Sequence, residues 1–334
     1  VYRVEYPGRR ALFYGAGAPE NLARRPVWSE IPAAMAALCY QAARLAPQAD
    51  LIAGHWLLPT GAIAALLARI FRKPFAGVAH SGDVHLLERI PARLAAPLRL
   101  LWNGAPLACV AHHQRPILER FSSRVRVLPM GVDAELFDAT RDRAASRESL
   151  GARGFCVLVL GRLVPVKGID VLLRALHRLP ATLWIAGDGP ERPSLEALAA
   201  SLGVSTRFFG PVAGTLRRQL FAAADLFVLP SRVLPDRRSE GMPVSLLEAA
   251  AAGLPLVASS VGGVADRFTH AQHALLVPPE DVSALKAAIV SMIDSPSLRE
   301  QLAQHARNQA EELRWEKVAQ AYEDFFDLAK VSPR

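Results

Sequence analysis

From residue 154 onward, short apolar runs alternate with segments whose apolar positions recur at helical spacing. CVLVLG (156–161), TLWIAG (182–187), RFFG (207–210), LFVLP (226–230), LVASS (256–260) and ALLVP (274–278) read as strands. IDVLLRALHRL (169–179), ERPSLEALAASL (191–202), 214–224, PVSLLEAAAAG (243–253) and 281–293 read as helices. The helix at 243–253 carries Pro243 at its start, Gly253 just past its end and Pro255 beyond. The first half alternates in the same way, with strands at 49–55, 74–80, 107–112 and 125–130 and helices at 60–72, 91–103 and 113–121. Continuous apolar strands separated by amphipathic helices predict parallel sheets covered on both faces. The charged, Ser-containing stretch ATRDRAASRESLGARG (139–154) predicts a linker between two doubly wound α/β domains. In such folds ligands sit beyond the carboxyl ends of the strands, here in a cleft between the domains.

The length of 334 residues fits two domains at roughly 150 residues each. A hydrophobic fraction of 51% excludes a disordered chain. Cys39, Cys109 and Cys156 stand in apolar contexts without C-x-x-C spacing, which argues against a disulfide scaffold or a zinc site and suits a reducing compartment. No run approaches the ~20 apolar residues that a membrane-spanning helix needs. The opening VYRVEYPGRR has no signal-peptide core, so the expected location is cytoplasmic. The net charge of +8 is unevenly placed: residues 1–153 hold 20 Lys and Arg against 12 Asp and Glu, whereas residues 154–334 hold 19 of each. An anionic partner therefore meets the first half. No basic–aromatic interleaving accompanies the charge, so nucleic acid is not expected.

Three constellations carry candidate chemistry. In GRLVPVKG (161–168), Arg162 and Lys167 lie between a strand and a helix N-terminus, where two cations and free N–H groups suit a diphosphate. The spacing is not a P-loop, because no Ser or Thr follows the lysine. In SEGMPVSLLEAAAAGLP (239–255), Glu240 precedes a helix and Glu248 lies in its first turns. Both suit vicinal hydroxyls of a sugar or ribose, and the amides of Gly241 and Met242 suit an anionic group. In AHSGDVH (79–85), His80, Asp83 and His85 lie at a strand end, where they suit acid–base work or hydroxyl binding. Each constellation alone also admits a bland reading as surface charge, helix-end charge or structural histidine.

Together, GRLVPVKGIDVLL, IAGDGPE and LPSR…EGMPVSLLEAAAAGLPLVAS…GG resemble family 4 of the glycosyltransferases, with its GT-B fold of two Rossmann-like domains facing a cleft. HWLLPTG (55–61), KPFAGVAHSGDVHLL (73–87) and VLPMGVDAELF (127–137) are similar to that family's acceptor-side domain. The resemblance implies an acceptor domain over 1–145, a donor domain over 146–312, and a C-terminal helix over 313–334 that packs back on the first. It implies transfer of a sugar from a UDP- or GDP-sugar to a saccharide or lipid-linked hydroxyl acceptor, retaining and without metal or other cofactor. The setting it suggests is bacterial envelope, polysaccharide or glycolipid synthesis. Arg162 and Lys167 match the pair that neutralises the donor diphosphate, with Gly241 and Met242 beside it. Glu240 matches the first Glu of the E-x7-E motif, at the transferred sugar, and Glu248 the second, at the ribose. His80 matches the histidine lining the reaction centre, Asp83 lies where an acceptor hydroxyl is engaged, and Asp188 shapes the nucleotide pocket.

The sequence also departs from the family. Its usual first strand and Gly-rich loop are not recognised, so the acceptor domain is expected to be incomplete, and YGAGAPENL (14–22) reads as a loop of that domain. Met130 stands where Asn is usual, GGVAD (262–266) lacks the usual Pro-Glu, and HAQHALLVP (270–278) lacks a Gly-containing turn. Two other readings remain, a silent sugar-nucleotide-binding protein and a nucleotide-sugar epimerase. The basic first half adds an expected peripheral contact with an anionic membrane.

Overall fold

In the computed structural model, which describes residues 29–330, the chain divides into two units: 29–129 with 319–330, and Met130–Val318. YGAGAPENL lies outside the described residues.

The first unit holds a parallel sheet in the order β1–β2–β3–β4: Ile52–His55, Phe75–Val78, Leu107–Cys109 and Val125–Val127. Helices α1 (Ile31–Leu45), α2 (Ala62–Ile70), α3 (Gly82–Arg89), α4 (Ala96–Trp102) and α5 (Arg115–Leu118) connect or flank the strands. The strands are shorter than their apolar runs: they end at Val78, Cys109 and Val127, although Ala79, Val110 with Ala111, and Leu128 continue the buried apolar character. Leu57, Leu87, Trp102, Leu107 and Phe121 form a core on one side of the sheet. On its other side Ala76, Val78 and Ala108 meet Phe325 and Ala329 of the last helix, so its aromatics pack as expected. Burial beside Cys109 raises the Tyr322 phenol there to about 12.

The second unit begins earlier than residue 146, for a local reason. The N–H of Val132 donates to the Leu313 carbonyl at 2.7 Å, and a Cβ on Gly131 would lie 2.4 Å from the Trp315 ring. The stretch expected as a linker is helical: a 3-10 segment, Ala134–Asp142, runs into α6, Arg143–Ser149. Its charges are structural. Arg143 and Arg147 pair with the two carboxylate oxygens of Asp225 at 2.6 and 3.0 Å, and Asp225 also accepts from Cys156 N at 2.8 Å.

Six parallel strands follow: β5 (Phe155–Leu160), β6 (Ala181–Ala186), β7 (Thr206–Gly210), β8 (Leu226–Leu229), β9 (Leu256–Ser259) and β10 (Leu275–Val277). Their spatial order is β7–β6–β5–β8–β9–β10. Helices α7 (Ile169–Leu176), α8 (Arg192–Leu202), α9 (Gly214–Ala223), α10 (Val244–Ala251), α11 (Val264–Arg267) and α12 (Val282–Asp294) connect or follow them. Two helices complete the described chain, α13 (Pro296–Glu311) and α14 (Trp315–Lys330), and α14 passes from the second unit into the first. β8 is buried at all four residues, which is why it reads as an unbroken apolar run. The direction of winding reverses between β5 and β8, and that reversal opens a crevice at their carboxyl ends.

Candidate functional site

The loops that follow β5 and β8 flank this crevice and meet through their backbones. Gly168 adopts φ +63°, and a Cβ there would lie 2.0 Å from the Pro230 carbonyl oxygen. Arg232 N donates to the Val166 carbonyl at 2.9 Å. Only glycine combines that positive φ with so close an approach. The contact brings Lys167 Nζ to 2.7 Å from Glu240 Oε1, with both side chains largely shielded from solvent. The Ser231 hydroxyl donates to the same oxygen at 3.2 Å.

A third loop closes on this pair from the end of β9. The Gly263 N–H donates to the Gly241 carbonyl at 2.6 Å, and a Cβ on Gly262 would lie 2.0 Å from the Glu240 carbonyl oxygen. GGVAD therefore keeps the glycine contacts that set the Glu240 turn, although it departs from the family pattern after them. The Met242 side chain is buried, so Gly241 and Met242 offer a ligand their backbone rather than a side chain.

Arg162 is exposed on the loop after β5. Asp188 follows β6, and its loop leans on that of Arg162: Leu163 N donates to the Asp188 carbonyl at 2.9 Å, and the Asp188 carboxylate accepts from Gly189 N at 2.8 Å. The fixed part of Asp188 is thus its backbone, while its side chain is exposed.

Glu248 is the fifth residue of α10 and only 7% exposed. Arg217 of α9 donates from Nη1 to Glu248 Oε1 at 2.9 Å and from Nη2 to Asp133 Oδ2 at 2.8 Å. Burial raises the Glu248 pKa, Arg217 opposes that shift, and Asp133 adds to it. Neither Arg217 nor Asp133 is a candidate from the sequence. Arg217 sits in LRRQ, indistinguishable from an ordinary solvated helix face, and Asp133 lies far away in the chain.

In the first unit, His80 ends the loop after β2 and Asp83 lies in the first turn of α3. The sequence places Asp83 where an acceptor hydroxyl is engaged, but its carboxylate is fully buried. It accepts from the backbone N–H of Leu57 at 2.7 Å, His80 at 3.0 Å and Ser81 at 3.1 Å. Asp83 is therefore a positioning residue: it ties the loop after β1 to the one that carries His80. Gln114 donates to the His80 carbonyl at 2.8 Å. His80 Nε2 lies 3.2 Å from His55 Nδ1, with the two rings stacked, and Trp56 lies beside them at 5.9 Å between ring centroids. Burial lowers the His80 pKa, Asp83 works against that, and His55 adds to it. An imidazole so placed is neutral near pH 7, and Trp56, 41% exposed, offers it an apolar neighbour.

Two oppositely charged side chains, Lys167 and Glu240, are thus paired at the switch point, with the buried carboxylate of Glu248 on the following helix. Residues 142–309 match the family model "Glycosyl transferases group 1". The chain belongs to this family. Among its relatives in this glycosyl transferase family, the Mycobacterium tuberculosis protein named glycogen synthase is 31% identical over 85% of the chain and 70% of its own length. A putative teichuronic acid biosynthesis glycosyltransferase of Bacillus subtilis, TuaC, is 31% identical over 72% of the chain and 60% of its own length. A D-inositol 3-phosphate glycosyltransferase of Salinispora arenicola is 34% identical over 60% of the chain and 50% of its own length. The chain thus spans about half to two thirds of the length of several relatives.

The fold of this group 1 chain is GT-B, shared with solved structures. Anabaena HepE, solved in complex with UDP, superposes with a TM-score of 0.76 at 22% identity, over 86% of this chain and 81% of its own. A Thermosynechococcus elongatus sucrose-phosphate synthase gives 0.73 at 22% identity, over 91% and 80%.

Proposed function

We propose that this chain transfers a sugar from a nucleoside diphosphate sugar to a hydroxyl acceptor, with retention of anomeric configuration and without a metal ion. The Lys167–Glu240 pair at the crevice between β5 and β8 carries the reading. Glu240 has the chemistry to accept hydroxyls of the transferred sugar. Lys167, with Arg162, has the chemistry to compensate the charge that builds on the leaving diphosphate, the task a divalent cation performs elsewhere. Glu248 is the candidate for the ribose hydroxyls, Asp188 for shaping the nucleotide pocket, and the amides of Gly241 and Met242 for the diphosphate. His80 is the first unit's candidate for contact with the sugar.

Among the described residues no carboxylate is an obvious covalent nucleophile, which favours displacement on one face of the sugar. The bond from the anomeric carbon to the phosphate oxygen breaks, the bond to the acceptor oxygen forms, and the acceptor proton passes to the leaving phosphate. UDP-sugars are the first donors to try, because HepE is solved with UDP and with UDP-glucose. The relative named for teichuronic acid biosynthesis supports an envelope or polysaccharide acceptor.

The first unit supports contact of this enzyme with an anionic membrane. Leu66, Ile70, Leu94 and Leu100 are more than half exposed, and Arg69, Arg72, Arg93 and Arg99 are exposed among them. Within residues 51–118 the acidic residues are Asp83, which is buried, and Glu88. The exposed arginines and leucines of the first unit support the arrangement we propose, a cytoplasmic enzyme bound peripherally at the membrane's inner face; no helix among the described residues is long and apolar enough to cross a membrane.

The test is label transfer from a panel of radiolabelled UDP- and GDP-sugars to saccharide and lipid acceptors, with and without EDTA, and product analysis at the anomeric centre. Transfer that withstands EDTA and gives a retained linkage supports the reading. Inversion, or loss of transfer on chelation, overturns the corresponding part. Nucleotide binding with no transfer to any acceptor favours a silent binder. Cosedimentation with anionic vesicles that is lost at high salt tests the membrane contact.

A further inference from the structure

The guanidinium of Arg217 is held between two carboxylates that come from distant parts of the second unit. Its two terminal nitrogens reach Glu248 and Asp133 at 2.9 and 2.8 Å, so its plane is clamped from both ends. Glu248 is the buried member of this trio, with 9% of its side chain exposed against 29% for Arg217 and 52% for Asp133. A carboxylate offers about four lone-pair positions on its two oxygens, and a single N–H from Arg217 occupies one of them. Among the described residues the side-chain hydrogen bond to Glu248 comes from Arg217 and falls on Oε1.

A buried carboxylate without a cation tends to take up a proton. A protonated carboxyl accepts fewer hydroxyl hydrogens than an ionised one. A glutamate with free torsions holds no particular hydroxyl pair. Arg217 answers all three, by supplying the cation and by fixing the direction of Glu248. The trio carries one net negative charge, which suits hydroxyl donors rather than another anion.

We infer that Arg217 is a positioning residue for the nucleoside, which makes discrimination for the ribose hydroxyls depend on a side chain outside the E-x7-E pair. The inference rests on the reading of Glu248 as the ribose contact. Arg217 touches Glu248 and not the sugar, and it leaves the diphosphate end of the site unaffected. Asp133 sets the guanidinium plane from the far side, so its loss weakens the effect without removing it.

The experiment measures affinity by titration calorimetry. UDP, GDP and ADP are compared on the full chain, and the tightest is carried forward with its 2′-deoxy counterpart. The readout is the ribo-to-deoxy affinity ratio, which a general loss of site integrity does not change selectively. Glu248→Gln is expected to reduce that ratio by about tenfold, the typical scale of a hydrogen bond to a charged group. Arg217→Gln is expected to reduce it nearly as far, Arg217→Lys to restore part of it, and Asp133→Asn to reduce it less. With Arg217→Gln the ratio is also expected to fall at a higher pH than in the parent, since the cation that opposes the raised Glu248 pKa is gone while Asp133 remains. If Glu248→Gln collapses the ratio and both Arg217 variants keep it, the inference fails and the ribose reading stands. If Glu248→Gln keeps the ratio, or none of the three ribonucleotides binds, the ribose reading fails and the inference with it. Asp133→Asn alters an exposed side chain and supplies a folded variant if Arg217→Gln is unstable.

Discussion

Lys167 and Glu240 hold each other, ammonium to carboxylate at 2.7 Å, across two loops that meet only because the sheet reverses its winding between β5 and β8. Each is the other's counter-ion. On the proposed donor reading, a diphosphate competes for Lys167 and a sugar hydroxyl for the carboxylate it releases, so that donor binding exchanges one ion pair for two ligand contacts.

That exchange separates the two residues experimentally. Lys167→Ala is expected to weaken nucleoside diphosphate binding by about tenfold to a hundredfold, the scale of lost charged hydrogen bonds. Glu240→Gln, which frees Lys167 of its counter-ion, is expected to keep or tighten that affinity while lowering turnover by about a hundredfold, as loss of a group that orients the reacting sugar does. Calorimetry with the diphosphate and initial rates with the sugar donor distinguish them. Equal loss of diphosphate affinity in both variants would contradict the division of roles.

Asp83 is expected to report on stability rather than on the acceptor. Asp83→Asn turns an amide N–H toward backbone donors that the carboxylate now accepts from, and about 2–4 kcal/mol of unfolding free energy is at stake. Urea unfolding checks this directly. A raised acceptor KM in a variant of unchanged stability would return Asp83 to the substrate.

His80 links pH to stability. Its lowered pKa keeps the folded protein from protonating it where an ordinary histidine, near 6.5, would take the proton. As pH falls through about 6.5 the unfolded chain gains a proton at this position that the folded chain refuses, so stability declines. The decline ends below the lowered folded pKa. A His80→Asn variant is expected to lose this part of the acid sensitivity. NMR titration of the imidazole checks the sign, and a midpoint above the ordinary value would refute it.

Gly168→Ala tests the seam between the loops. The new methyl meets the Pro230 carbonyl at 2.0 Å in a backbone conformation unsuited to side chains, so at least about 2 kcal/mol of stability is expected to be lost. Diphosphate affinity should fall with it, because Lys167 rides on the same turn. Thermal unfolding and calorimetry read the two effects separately.

The second half was legible because its strands are buried and its special glycines sit inside motifs. Val228 and its neighbours are hidden on both faces, so apolar run and strand nearly coincide. The first half was harder. α3 begins at Gly82 with His85, Glu88 and Arg89 on an eight-residue helix, which yields little periodicity. α13, Pro296–Glu311, is polar enough that only Leu302, Ala306 and Ala310 of it are buried. Among site residues, titratable side chains at strand ends were found and their partners were not. His55, Arg217 and Asp133 gain significance only through residues far away in the chain, and Asp83 looks the same in sequence whether it faces a hydroxyl or three backbone amides.

The charged stretch before β5 looks like the natural place to sever the two halves. Asp225 makes it the wrong place, since its carboxylate stands at the start of β8 and takes Arg143 on one oxygen and Arg147 on the other. A fragment that began after residue 147 would strand a partly shielded negative charge against the Cys156 amide, beneath the central strands of the sheet. What reads as dispensable spacer is the keystone of the second unit, and anyone isolating that unit must cut upstream of it.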